Sequence, residues 1–117
     1  MAMPAEWATH ELTLMAWPAR RELWGPQWDL AKAEYAATAR AIAAFEPVLM
    51  IAPPGDAGEV RDACGRGVKA IELPIDDSWM RDSGPLIVVS QDGRRAGVDF
   101  RFNGWGKSSF PTIATTR

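Results

Sequence analysis

Val48, Leu49, Met50 and Ile51 form an unbroken apolar run that ends at Pro53, Pro54 and Gly55. Four consecutive apolar residues cannot alternate between core and water, so the run fits a strand covered on both faces. The segment before it supplies a cover. Trp28, Ala31, Tyr35, Ala39, Ile42 and Phe45 recur at spacings of three or four, the pattern of a helix with one buried stripe. Gly25 and Pro26 open that helix, since proline at the first helical position gives up no needed hydrogen bond and its φ is already helical. Pro47 bounds it at the other end.

Leu12, Leu14 and Ala16 alternate with Glu11, Thr13 and Met15 before Pro18, which predicts a short strand. Beyond the apolar run, Asp56 followed by Glu59 gives a capping-box pattern for a short helix that Gly65 and Gly67 close. Residues 68–75 read as a third strand and Leu86, Ile87, Val88 and Val89 as a fourth. Asp92 and Gly93 are the dipeptide that type I′ hairpin turns prefer. The returning strand is expected where Val98, Phe100 and Phe102 alternate with Asp99 and Arg101. The order β-α-β-α-β-β-β predicts one α/β or α+β domain over residues 1–117, its helices packed on one sheet. The closing stretch KSSFPTIATTR has no clear periodicity.

A hydrophobic share of 47% against 24% charged residues is the balance of a folded soluble domain. A net charge of -2 lacks the basic footprint that phosphate contacts demand, and the pairs Arg20–Arg21 and Arg94–Arg95 make no patch. Cys64 is the only cysteine, so no internal disulfide forms. The N-terminus has neither a basic leader nor an apolar h-region, and no apolar stretch approaches the ~20 residues that span a bilayer. A cytoplasmic location without membrane or nucleic-acid partners is the expectation.

The loop between the third and fourth strands concentrates Asp76, Asp77, Trp79, Arg81 and Asp82 within seven positions. A carboxylate can accept two parallel hydrogen bonds from a guanidinium, and an indole face attracts the same cation. The pattern therefore suits a receptor for a planar cation. Composition alone favours the plainer reading, a turn in which Arg81 pairs with one of the three aspartates and Trp79 plugs the core.

Three stretches, MPAEWATHELTLMAWP, DDSWMRDSGP and VDFRFNGWG, resemble signatures of the agmatine deiminase family, which includes bacterial peptidylarginine deiminases. They come in the family's order, and WMRDSGP is the most specific. The resemblance runs from Met3 to about Gly106. It implies a pentein fold, an α/β propeller of five modules around a central channel, of which this chain supplies about the first module and the start of the second. It implies hydrolysis of agmatine to N-carbamoylputrescine and ammonia through a cysteine thiolate, without metal or organic cofactor. Carried over residue by residue, Asp82 is the catalytic carboxylate that grips the guanidinium and Trp79 lines the substrate channel beside it. Arg81 falls to loop structure, because like charges repel.

The resemblance also sets expectations about what is missing. The family's second carboxylate, its histidine and its nucleophilic cysteine have no counterparts before Arg117, so the chain is expected to be an inactive N-terminal fragment. His10 and Cys64 are then structural, Cys64 as a small buried hydrophobe. Trp7, Trp17 and Trp105 lie in the signature stretches and either pack near the channel or fill the core, core filling being the expectation for most of the six tryptophans. An isolated module would expose surface that its neighbours cover, and self-association or a homo-oligomer follows. Two alternatives stand beside agmatine deimination: peptidyl-arginine deimination, and a silent remnant acting as a binding or assembly module.

Overall fold

The apolar run becomes β2, Val48–Ala52, the middle strand of a three-stranded parallel sheet ordered β1-β2-β3. In the computed structural model, which describes residues 1–100 and Phe102, the chain divides into two compact units. The first is His10–Met80; the second joins Met1–Thr9 to the described residues from Arg81 onward.

In the first unit β1, Thr13–Ala16, runs parallel to β2 with Thr13 opposite Val48, and β3, Val68–Glu72, lies on the other side with Val68 opposite Val48. A single helical turn α1, Arg21–Trp24, and a 3-10 turn at Gly25–Gln27 lead into α2, Trp28–Ala43. Pro26 thus serves the 3-10 turn and not the first turn of the long helix. The helix α3, Ala57–Cys64, follows β2. Trp17, Ala36, Ala39, Val48, Met50, Ala52, Val60, Cys64 and Val68 form the core. Small residues on α2 let it approach closely, and Ala39 is fully buried.

β2 alternates between buried Val48, Met50 and Ala52 and half-buried Leu49 and Ile51. The expectation of cover on both faces holds fully on only one of them. Phe45 departs further from the sequence reading, at 91% exposure. The helix ends at Ala43, and the Phe45 and Glu46 N–H groups both donate to the Ile42 carbonyl in a tight turn that takes Phe45 off the buried stripe. Gly67 is dictated by packing, since a Cβ there would stand 2.7 Å from the Ala43 Cβ.

The expected capping box does not form. Asp56 makes no side-chain cap bond. Glu59 instead reaches Lys32 of α2, whose Nζ lies 2.8 Å from both carboxylate oxygens and 4.3 Å from the Trp28 ring centre. The start of α3 is held from β3, where Glu72 Oε1 accepts the N–H groups of Gly55 at 3.0 Å and Ala57 at 3.2 Å.

In the second unit β4, Leu86–Val89, pairs antiparallel with β5, Arg95–Val98, and Ala2 bridges to Val89. The four strands expected on one sheet with a fifth therefore divide between a parallel sheet and a separate hairpin. The returning strand is 95–98 and not 98–102; Phe100 is exposed, and Arg101 lies outside the described residues. The shift follows from the turn. Ser90 N–H donates to the Arg94 carbonyl at 2.9 Å and Gly93 N–H to the Ser90 carbonyl at 3.0 Å, while Gly93 alone of the turn residues has positive φ, 82°. These are the marks of a three-residue loop ending in a left-handed glycine, where type I′ would need positive φ at Asp92 as well. The Asp92 carboxylate favours this form by accepting the Ser90 hydroxyl and, at 2.7 Å, the Arg94 Nε. Those bonds, the Ser90 hydroxyl first, also hold the Asp92 carboxyl below its usual pKa.

Candidate functional site

After β3 the chain extends past Pro74 into the acidic loop that the sequence singled out. Asp76 and Asp77 are half-buried, Ser78 is 5% exposed and Trp79 is 53% exposed. The loop is braced locally: Ser78 N–H donates to its neighbour Asp77 Oδ1 at 2.7 Å, and Met80 N–H to the Ser78 carbonyl at 3.1 Å. It is also braced from α2, where the Tyr35 hydroxyl lies 2.9 Å from the Ser78 hydroxyl. Tyr35 in turn meets Trp24 edge to face, centroids 6.1 Å apart.

Met80–Ser83 forms one helical turn, α4, which carries Arg81 and Asp82, both exposed. Arg81 pairs with Glu6 of the N-terminal segment, Nη1 to Oε1 3.0 Å, rather than with an aspartate of its own loop. Trp79 does not plug the core. The plain turn reading thus loses both of its supports. Trp79 belongs to the first compact unit and Asp82 to the second.

His10 and Cys64 each have surroundings of their own. His10 Nδ1 stands 3.2 Å from Glu46 Oε1, and the Thr13 hydroxyl donates to the same oxygen. That hydroxyl, with a smaller contribution from His10, holds the Glu46 carboxyl below its usual pKa. The cluster ties the start of β1 to the turn before β2, where Thr13 N–H donates to the Pro47 carbonyl. Cys64 is the last residue of α3, 3% exposed and packed in the core. Burial pushes its thiol pKa up, and Arg40 offsets this only in part. Among the described residues no three of His, Cys, Asp and Glu are grouped to hold a metal ion. None of the described helices is long and apolar enough to cross a membrane.

The sequence reading missed the Tyr35–Ser78 bond. Tyr35 counted only as a member of the apolar stripe, yet a tyrosine there must place its hydroxyl against a partner. That demand was the available signal.

Comparison with known proteins gives a consistent assignment. A family model described as Porphyromonas-type peptidyl-arginine deiminase matches residues 2–116. A Streptomyces avermitilis protein provisionally named an agmatine deiminase is 46% identical over 110 residues, which are 92% of this chain and 32% of that protein. An agmatine deiminase of Pseudomonas aeruginosa is 44% identical over 105 residues, 89% of this chain and 28% of that enzyme. Among solved structures, an agmatine deiminase of Enterococcus faecalis catalysing its reaction superposes with a TM-score of 0.81 at 30% identity, covering 90% of this chain and 29% of that one. The chain spans about a third of the length of these relatives. It has their α/β pentein fold. The chain belongs to the Porphyromonas-type peptidyl-arginine deiminase family, in which its relatives are named as agmatine deiminases.

Proposed function

We propose that this chain forms the N-terminal part of an agmatine deiminase, contributing the loop that receives the guanidinium of agmatine. The observation that carries the reading is the WMRDSGP loop, which presents an exposed indole at Trp79 and an exposed carboxylate at Asp82, in a chain 44% identical to an agmatine deiminase. Asp82 accepts two guanidinium N–H groups and Trp79 lies against the planar cation. The reaction adds water across the amidine: a thiolate attacks the guanidinium carbon, ammonia leaves, and water releases N-carbamoylputrescine from the sulfur. A histidine moves the protons. Neither role falls to a residue of this chain. Cys64 is buried with a raised pKa, the reverse of what a nucleophile requires.

The family model's description favours a second reading, in which the guanidinium belongs to a peptidyl-arginine. Both are tested by grafting the 105 residues aligned with the P. aeruginosa enzyme in place of their counterparts there. Agmatine turnover by the graft supports the first reading, and preference for peptidyl-arginine supports the second. A folded graft inert towards both would return the chain to a binding or assembly role. Trp7 and Phe45, 90% and 91% exposed, support self-association of the chain alone.

A further inference from the structure

We propose that Tyr35 is a positioning residue: from the middle of α2 it holds Ser78, and through Ser78 it sets where the Trp79 indole stands. This rests on the assignment of Trp79 to the substrate-binding loop. The geometry begins with a conflict. Ser78 is polar and 5% exposed, while its immediate neighbour Trp79 is large, apolar and 53% exposed. Burying the serine while turning the indole outward requires that the serine hydroxyl find a partner inside. Tyr35 provides it at 2.9 Å, and either hydroxyl can donate.

The backbone N–H of Ser78 is spent on Asp77 and its carbonyl on Met80, both within the loop itself. The side-chain bond is therefore what fastens Ser78 to α2. Tyr35 is itself fixed, its ring held edge-on by Trp24 and packed against the buried core, so its hydroxyl is a rigid reference point. An aromatic face acts on a cation only when it is held at the right height and tilt. The consequence is that a helix residue remote in sequence, making no contact with substrate, governs how well the loop receives it.

The test uses the 117-residue chain, with Tyr35→Phe, Ser78→Ala, Ser78→Thr and the double variant Tyr35→Phe/Ser78→Ala. Tyr35→Phe keeps the ring against Trp24 and removes only the hydroxyl. Amide exchange at Ser78 and Trp79 should quicken about fivefold, the loss of one net hydrogen bond, while exchange in β2 stays unchanged. The Trp79 indole N–H order parameter should fall below about 0.6. Ser78→Thr should restore the wild-type values, and the double variant should behave like either single one. Uniformly faster exchange throughout the unit would make Tyr35 merely structural and overturn the proposal, as would an indole order unchanged in Tyr35→Phe. Titrating agmatine into the wild-type chain separates the two assignments: an undisturbed Trp79 signal counts against Trp79 as a substrate contact, and leaves the positioning of the indole by Tyr35 to the exchange data.

Discussion

The carboxylate of Glu72, at the end of β3, fastens the loop before α3 by accepting the backbone N–H of Gly55 at 3.0 Å. A second bond from Ala57 N–H to the same oxygen, at 3.2 Å, places an acidic group at the start of a helix, where free N–H groups and the helix dipole both favour it. Asp56, the residue at the capping position, bonds none of these groups through its side chain. The two acids therefore differ in consequence. Glu72→Ala should lower stability by about 1 kcal/mol, the scale of a lost cap, and Asp56→Ala should change it by less than about 0.5 kcal/mol, as an ordinary surface substitution does. Urea denaturation of both variants checks this, and equal losses would restore the capping box.

Glu46 gives the fold a dependence on acid. Its folded pKa lies below the ordinary 4.5, first because Thr13 donates to it and then because His10 stands beside it. A depressed carboxyl pKa contributes stability that is present above the unfolded value and is lost as pH falls through the folded one. Thr13→Val should therefore lower the melting temperature at pH 6, and the gap to wild type should narrow as pH drops below about 4.5 and close at lower pH. Melting curves between pH 3 and 6 decide it; a gap independent of pH would mean that the hydroxyl matters only through packing.

The loop proposed to receive the substrate yields a graded pair of outcomes in the P. aeruginosa graft. Trp79→Ala removes an aromatic face from the cation and should raise KM for agmatine by the equivalent of about 1 to 2 kcal/mol. Asp82→Asn keeps the shape, loses the charge and turns one acceptor into a misplaced donor, so kcat/KM should fall at least ~100-fold. Steady-state assays with both variants measure this. Near-normal activity of Asp82→Asn would make the loop a structural turn, and an unchanged KM in Trp79→Ala would take the indole out of the site.

What the sequence made legible was whatever depended on neighbours along the chain. The stripe from Trp28 to Ile42 and the run at Val48 are local periodicities, and both became the elements they predicted. The errors fell where a distant group competed with a local signal. Glu72 displaced Asp56 at the start of α3 from 15 and 17 residues away, and Glu59 turned to Lys32 on another helix. At the hairpin the Asp92 side chain satisfied Ser90 and Arg94, which favours a longer loop than the dipeptide alone suggests. In the candidate site the composition marked out the acidic, indole-bearing loop, and only the family resemblance singled out Asp82 among its three aspartates. Tyr35 was invisible for the opposite reason, since its ring fits the apolar stripe and its hydroxyl matters only once Ser78, 43 residues later, is folded against it.

Cys64 is the test of whether these 117 residues can act alone. Attack on a guanidinium carbon needs a thiolate, because the substrate is a resonance-stabilised cation that weaker nucleophiles hardly touch. Cys64 is 3% exposed within the core of the first unit, and burial pushes its thiol pKa up rather than down. Both effects shrink the fraction that is thiolate and in reach of a substrate. Iodoacetamide at pH 8 should label native Cys64 at least ~100-fold more slowly than Cys64 in urea, since reaction must await an opening of the core. The same chain incubated with agmatine should release no ammonia above background over hours. Ammonia release abolished by Cys64→Ser, together with rapid native alkylation, would make Cys64 the nucleophile and overturn its place as a core residue.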